Sequence, residues 1–357
     1  MSHGHRAVQW TPYKRAYDLA AVGVIALYLI AFIVVGRFAW RGEHAISDEI
    51  LIMRALATCA FTLLTLILCI GPLCRLDRRF LPLLYNRRHL GVMTCLIASL
   101  HALLGIGFYH GFGVVNPLQS LLTSNTQYRS ISAFPFEILG AIALLILILM
   151  AATSHDFWLK NLSPGLWKGL HMLAYPAWVL LVGHVALGAL QGERSILYAT
   201  LLIAVAVIVP TLHIVAGLKE RRLDRSHTVG RWLLVGRFDD VIDKRAKVVC
   251  PAGGERIAVF RNGDRISAIA NVWAHQGGPL GEGKIIDGCV TCPWHGFQYR
   301  PEDGCAPPPF TEKVATYPVR IENGEVFVCT EALTPGKPAE PVTVIKETNV
   351  RREARLA

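Results

Sequence analysis

Two short stretches late in the chain hold the residues best suited to iron chemistry, His275-Gln276-Gly277-Gly278-Pro279-Leu280 and Cys292-Pro293-Trp294-His295-Gly296. Thiolate sulfur and imidazole nitrogen together hold a mixed-ligand [2Fe–2S] cluster, with two cysteines on one iron and two histidines on the other. His275 and His295 offer both imidazoles and Cys292 offers one thiolate. The second thiolate belongs two residues before His275, where the chain has Trp273, and an indole supplies neither negative charge nor sulfur. Three arrangements stay open. Cys289, which makes Cys-x-x-Cys with Cys292, or Cys305 on a proline-rich loop replaces the missing ligand. Alternatively His275, Cys289, Cys292 and His295 hold a tetrahedral zinc ion, for which these donors are suited. In the third arrangement the fold carries no metal and acts as a docking module.

A second set of candidate ligands, His101, His171 and His184, lies within apolar sequence. Ionisable side chains inside a membrane span are costly and mark function. Imidazole is a common axial haem ligand, and facing helices of a bundle can build such a site. Counted from the cytoplasmic start of their runs, His184 lies about 16 residues in and His101 about 12, so the two can face each other. His171 lies about 20 Å from His184 along a helix, a spacing that suits a second haem with His89 as the other ligand. Thirteen residues turn a straight helix away from the same face, so one haem is expected before two. Gly105, Gly107, Gly183 and Gly188 flank the pair. They would let a flat macrocycle approach the backbone, or serve as small-residue helix contacts. His110 and His213, at span ends, read as ordinary polar residues.

The elements that must position these residues differ sharply between the two halves. Six apolar runs fall at roughly 17–36, 50–71, 89–110, 134–152, 168–190 and 195–217, each supplying about the 20 residues that cross a bilayer as a helix. With 53% hydrophobic residues and a mean hydropathy of +0.40 over 357 residues, an ordinary soluble enzyme is excluded. The first run is a span rather than a cleaved signal, since five more follow it. Lys and Arg concentrate in 1–16, 72–88 and 153–167, which by the positive-inside rule puts both ends and the second half in the cytoplasm. The net charge of +10 is mostly topological: residues 218–357 carry 21 basic against 18 acidic side chains, too even a balance for nucleic-acid binding. Nine scattered cysteines do not suggest a disulfide framework, and Cys59, Cys69, Cys74 and Cys95, in or beside spans, read as small apolar packing residues.

Arg87-Arg88-His89-Leu90-Gly91, His101, Thr153-Ser154-His155, Trp167-Lys168-Gly169-Leu170-His171, Tyr175 and His184 together resemble the ferric reductase-like transmembrane family, particularly the haem-binding subunits of bacterial methionine sulfoxide reductase systems. The resemblance spans about residues 50–217. It implies haem b bound by His101, His171 and His184, in a bacterial inner membrane. The FAD- and NADPH-binding lobes of full ferric reductases have no counterpart after residue 218, where no strand leads into a Gly-rich turn, so electrons come from or go to another carrier.

From Trp232 the pattern is that of short strands, including 257–260 and 266–270 around an Asn262-Gly263 turn and 326–328 after Asn323-Gly324, which point to a small all-β sandwich or barrel. Residues 230–330, with Cys292-Pro293-Trp294-His295-Gly296 as the most specific segment, resemble Rieske ferredoxin-like domains. The resemblance implies that His275 and His295 ligate one iron and Cys292 the other. Trp294 stands where high-potential respiratory members carry a disulfide cysteine, which implies the lower end of the Rieske range.

The expected architecture is thus a membrane all-α six-helix bundle over 1–217, a basic juxtamembrane linker over 218–231, a small all-β Rieske-type domain over 232–330 and a flexible tail over 331–357. The expected function is electron relay between a cytoplasmic donor or quinone, a Rieske-type centre and haem b, with the lipid bilayer and a redox protein or quinone as partners. The alternative is a membrane haem b protein whose β domain docks a partner or binds zinc.

Overall fold

The structure, a computed structural model, describes residues 12–40, 45–84, 87–154, 158, 162, 164–193, 196–223, 231–251, 254–272, 279–292, 297–308 and 310–343. It divides into two compact units, one ending at Gly217 and the other beginning at Leu218.

The first unit is helical: α1 (Pro12–Ala39), α2 (Asp48–Leu76), the single turn α3 (Leu81–Leu84), α4 (Arg87–His110), the short α5 (Pro117–Thr123), α6 (Phe136–Thr153), α7 (Pro164–Met172), α8 (Ala174–Leu187) and α9 (Ile196–Leu223). Among the described residues, six helical stretches are long and apolar enough to cross a membrane, matching the six runs. Ser47 caps α2 by accepting from Ile50 N, with Asp48 and Glu49 in the first turn, where carboxylates complement the helix dipole. α2 is the central helix, with 39% of its apolar window buried against 6% in α1. Leu64, Leu68 and Cys69 of α2 pack with Cys95, Leu147, Ala174, Trp178 and Val209 from four other spans. Cys59 joins Leu56, Ala60 and Ile97, and Cys74 joins Ile70, Leu81 and Leu84, so all four membrane cysteines pack as apolar groups.

The fifth span is not the straight helix that the spacing of its histidines assumes. It breaks at Leu173, whose N–H bonds to Leu170 O in a 3₁₀ step. Pro176 is the cause: it lacks an N–H, and its ring clashes with the carbonyl four residues back, at Met172. The azimuth between His171 and His184 is therefore not that of thirteen residues of regular helix.

The second unit carries β1 (Trp232–Arg237), β2 (Ala246–Val249), β3 (Ile257–Asn262), β4 (Arg265–Ala270), β5 (Lys284–Ile286), β6 (Cys289–Thr291), β7 (Gln298–Tyr299), β8 (Thr316–Tyr317), β9 (Val319–Glu322), β10 (Glu325–Cys329) and β11 (Val342–Thr343). They form sheets in the orders β1-β10-β9, β11-β4-β3-β2 with β8 also on β4, and β5-β6-β7, all paired antiparallel. Asp287-Gly288 and Asn323-Gly324 turn the β5–β6 and β9–β10 hairpins with positive φ at both positions, the type I′ geometry that favours these pairs. The core is continuous, from Leu233 and Val235 through Ile257–Phe260 and Ile266–Ala270 to Tyr299, Val326 and Val328.

Two expected boundaries shift. The segment beginning at 218 opens as helix, since α9 continues to Leu223; residues 224–230 lie outside the described set. Residues 331–343, expected to start a flexible tail, instead strap the sheets. Leu333 N bonds to Thr316 O, Thr316 Oγ1 donates to Lys337 O at 2.7 Å, Ala339 N bonds to Glu302 O, and β11 pairs with β4. A proline-rich composition argues against helix and central strand, but an edge strap needs only part of its backbone to pair.

Candidate haem and cluster sites

His101 projects from α4 and His184 from α8, and their ring centroids lie 6.4 Å apart at an interplanar angle of 81°. Each ring is held from behind by a backbone carbonyl: His101 Nδ1 lies 3.1 Å from Met53 O on α2, and His184 Nδ1 lies 2.9 Å from Phe136 O on α6. A carbonyl only accepts, so both Nδ1 atoms carry the proton and both Nε2 atoms are the basic nitrogens. This is the outer-shell arrangement by which ligating histidines are fixed in tautomer and orientation. With Nδ1 of each ring on a carbonyl, Nε2 of His101 and Nε2 of His184 are the atoms that would hold a haem iron.

Gly140 on α6 makes room for this arrangement. A Cβ there would stand 2.8 Å from Nδ1 and Cε1 of His184. Nothing in the sequence pattern singles it out, because it lies more than forty residues from its partner ring. Gly183 and Gly188 behave as helix-contact glycines: added Cβ atoms would meet Leu139 at 3.2 Å and the Phe136 ring at 2.4 Å. The Phe136 ring lies 5.3 Å from that of His184. Gly107 has open space around it, and Gly105 meets Met53 Sδ only at 4.0 Å.

His171 is engaged elsewhere. Its ring stacks on Trp167 at 3.7 Å, Nδ1 lies 3.0 Å from Trp167 O, and Nε2 lies 3.3 Å from Ser154 Oγ. Both nitrogens thus have protein partners. His89 Nδ1 meets the Asp18 carboxylate at 2.8 and 3.0 Å, joining α4 to α1. Of the three histidines expected at haem, the structure pairs His101 with His184 and sets His171 in a Trp–His–Ser stack at the end of α6.

In the β unit, His275 and His295, with Trp273, lie outside the described residues. The frame around their loops is described. Val272 bridges Pro279, and Leu280 N bonds to Asn271 O while Gly281 N bonds to Asn271 Oδ1 at 2.8 Å, so the buried Asn271 holds the first loop closed at its base. Cys292, fully buried after β6, donates its N–H to Phe297 O at 2.8 Å and closes the second. Cys289 is a poor substitute for the missing thiolate. Strand alternation sets Cys289 and Thr291 on one face of β6 and Val290 on the other, with Cys292 next in Val290's row. Burial, followed by the Glu302 charge, pushes the metal-free Cys289 thiol up to about 11. Cys305 sits in a separate turn, its N–H on Asp303 Oδ1 and its carbonyl on Arg300 N. Among the described residues no three His, Cys, Asp or Glu side chains gather as a metal site.

A helical membrane bundle with a facing histidine pair, joined to a small antiparallel β unit with two clamped loops, defines a multi-pass membrane redox protein. Comparison with known proteins gives the families. Residues 56–182 match the ferric reductase like transmembrane component, and residues 231–318 match the Rieske [2Fe-2S] domain. The anthranilate 1,2-dioxygenase ferredoxin subunit of Burkholderia cepacia is 40% identical over 105 residues, covering 28% of this chain and 94% of the ferredoxin. The protein-methionine-sulfoxide reductase heme-binding subunit MsrQ of Caulobacter vibrioides is 27% identical over 196 residues, 54% of this chain and 87% of that protein. Cholesterol 7-desaturase nvd of Xenopus laevis is 38% identical over 88 residues, 22% of this chain but only 19% of the desaturase. The chain belongs to the Rieske [2Fe-2S] family through its β unit, and joins that domain to a ferric reductase-like membrane component.

Proposed function

We propose that this chain is an electron-transfer protein of the bacterial inner membrane that carries haem b between His101 and His184. The observation that carries the reading is the pair itself: two imidazoles 6.4 Å apart, each with Nδ1 on a backbone carbonyl. Haem iron there would supply one-electron exchange. The chain's own part is to hold the two basic nitrogens in place, keep water from the site with the apolar faces of α2, α4, α6 and α8, and set the potential through the hydrogen bonds behind each ring. The likeness to a heme-binding subunit supports the choice of group. The charge distribution supports a cytoplasmic β unit, with a cytoplasmic donor or a quinone as the exchange partner.

The Rieske ligand set is one thiolate short, since Trp273 cannot ligate and Cys289 lies in the opposite row of β6 from that of Cys292. No electron step through a cluster is therefore part of the proposed function. His275, Cys292 and His295 remain the residues proposed to hold one if a second thiolate reaches them. The same observations favour the second reading, in which the β unit is a cluster-free docking module for a redox protein. Iron and labile-sulfide analysis with reduced-state EPR on the purified full-length chain separates the two. A reduced Rieske signal supports the relay, and haem iron alone supports docking.

A further inference from the structure

His110, the last residue of α4, is 8% exposed, and its two ring nitrogens are unequally served. Nδ1 lies 2.9 Å from Ser120 Oγ on α5. Nε2 is buried without a hydrogen-bond partner among the described residues, while Glu137 Oε1 on α6 stands 3.7 Å away, beyond hydrogen-bond range but within reach of an ion pair. A neutral imidazole carries one donor and one acceptor. If its proton is on Nδ1, a bare Nε2 faces a carboxylate; if on Nε2, the carboxylate is too far to accept. An imidazolium donates from both nitrogens, to Ser120 and to Glu137, once the gap closes to about 2.8 Å. The cluster is complete only with one more proton.

It shares its helices with the elements that hold the histidine pair. His110 follows His101 by nine residues on the same helix, about 13.5 Å along its axis. Glu137 directly follows Phe136, whose carbonyl holds His184. Of the elements packed around His110, α5 has no ionisable residue and α6 contributes Glu137. The facing end of α2 has Asp48, which binds Arg37, the exposed Glu49, and Arg54, which binds Glu193.

We propose that His110 and Glu137 form a proton-uptake site that fills when the His101–His184 centre is reduced. The proposal rests on the haem reading above. One electron arrives from a one-electron reductant and one proton from the aqueous phase by way of Glu137, whose side chain is 29% exposed; oxidation releases both. The added negative charge in a low-dielectric bundle favours the proton, and the proton favours the electron by the same amount.

The test is a dithionite titration of the full-length protein in detergent, following the reduced haem band from mildly acidic to mildly alkaline pH, for the parent, His110→Gln and Glu137→Gln. In the parent the midpoint potential should fall as pH rises, approaching about 59 mV per tenfold change in proton concentration at one electron. In both variants the band should persist and the slope should drop to less than half. A parent slope near zero, or equal slopes in all three proteins, overturns the proposal while leaving the haem reading intact. Absence of any reduced haem band in the parent overturns the haem reading and this inference with it.

Discussion

His101 and His184, 83 residues apart in sequence, face each other at 6.4 Å because each is pinned from behind by a carbonyl of a different helix, Met53 of α2 and Phe136 of α6. Four spans thus converge on one pair of nitrogens. Any change that moves α2 or α6 relative to α4 and α8 should be felt at the pair before it is felt in overall folding.

Gly140 tests that coupling. A methyl group there would lie 2.8 Å from the His184 ring, and the overpacking should cost about 1–3 kcal/mol or turn the ring out of place. Gly140→Ala should lower the haem-to-protein ratio of the purified protein severalfold. Gly23→Ala on α1, with no atom within 4 Å, should leave it unchanged.

Cys289 should behave as a protonated, shielded thiol. Its folded value of about 11 lies above the ordinary 9.0, so the neutral form dominates at neutral pH and the thiolate appears only as pH rises toward 11. Because the thiolate is the nucleophile, mass-spectrometric alkylation of the full chain at neutral pH should label Cys289 at least tenfold more slowly than the more exposed Cys305. The gap should narrow as pH approaches 11. Equal labelling at neutral pH contradicts the burial argument.

Asn271 should matter for stability rather than for redox chemistry. Its side chain accepts the Gly281 N–H at the closed base of the first ligand loop. Asn271→Ala leaves that donor unpaired, at a cost of about 1–3 kcal/mol. Thermal unfolding of the β unit within the full chain should shift down by several degrees, while the haem band stays where it is.

Trp273→Cys should add about two non-haem irons and two labile sulfides per chain if the missing thiolate alone disables the cluster. Cys289→Ser should change neither iron nor sulfide in the parent. Loss of iron in the serine variant would mean that Cys289 reaches the site after all.

Much of the fold and of the candidate haem site is legible in the residues alone. The helical spans are visible as apolar runs of bilayer length, and the pairing of His101 with His184 follows from comparable depth in parallel spans. The β unit is visible in its Asn-Gly turns and alternating strands. What escapes does so for identifiable reasons. Gly140 touches His184 across more than forty residues of sequence, and such contacts leave no local pattern. His110 looks like any histidine at a span end until Ser120 and Glu137 are seen beside it. The break at Leu173 is signalled by Pro176, three residues on, yet a count of residues per turn assumes a regular helix. The strap over 331–343 is hidden by its prolines, which mimic a linker in composition while Leu333 N and Lys337 O pair with Thr316, Ala339 N pairs with Glu302 O and β11 pairs with β4.

Haem ligation by His101 and His184 is decided by the reduced-minus-oxidised absorbance spectrum of the purified full-length chain beside His101→Ala and His184→Ala. A b-type band should be present in the parent, lost in both variants and retained in His171→Ala. A band that survives either His101→Ala or His184→Ala unchanged, or that disappears only in His171→Ala, would contradict that ligation.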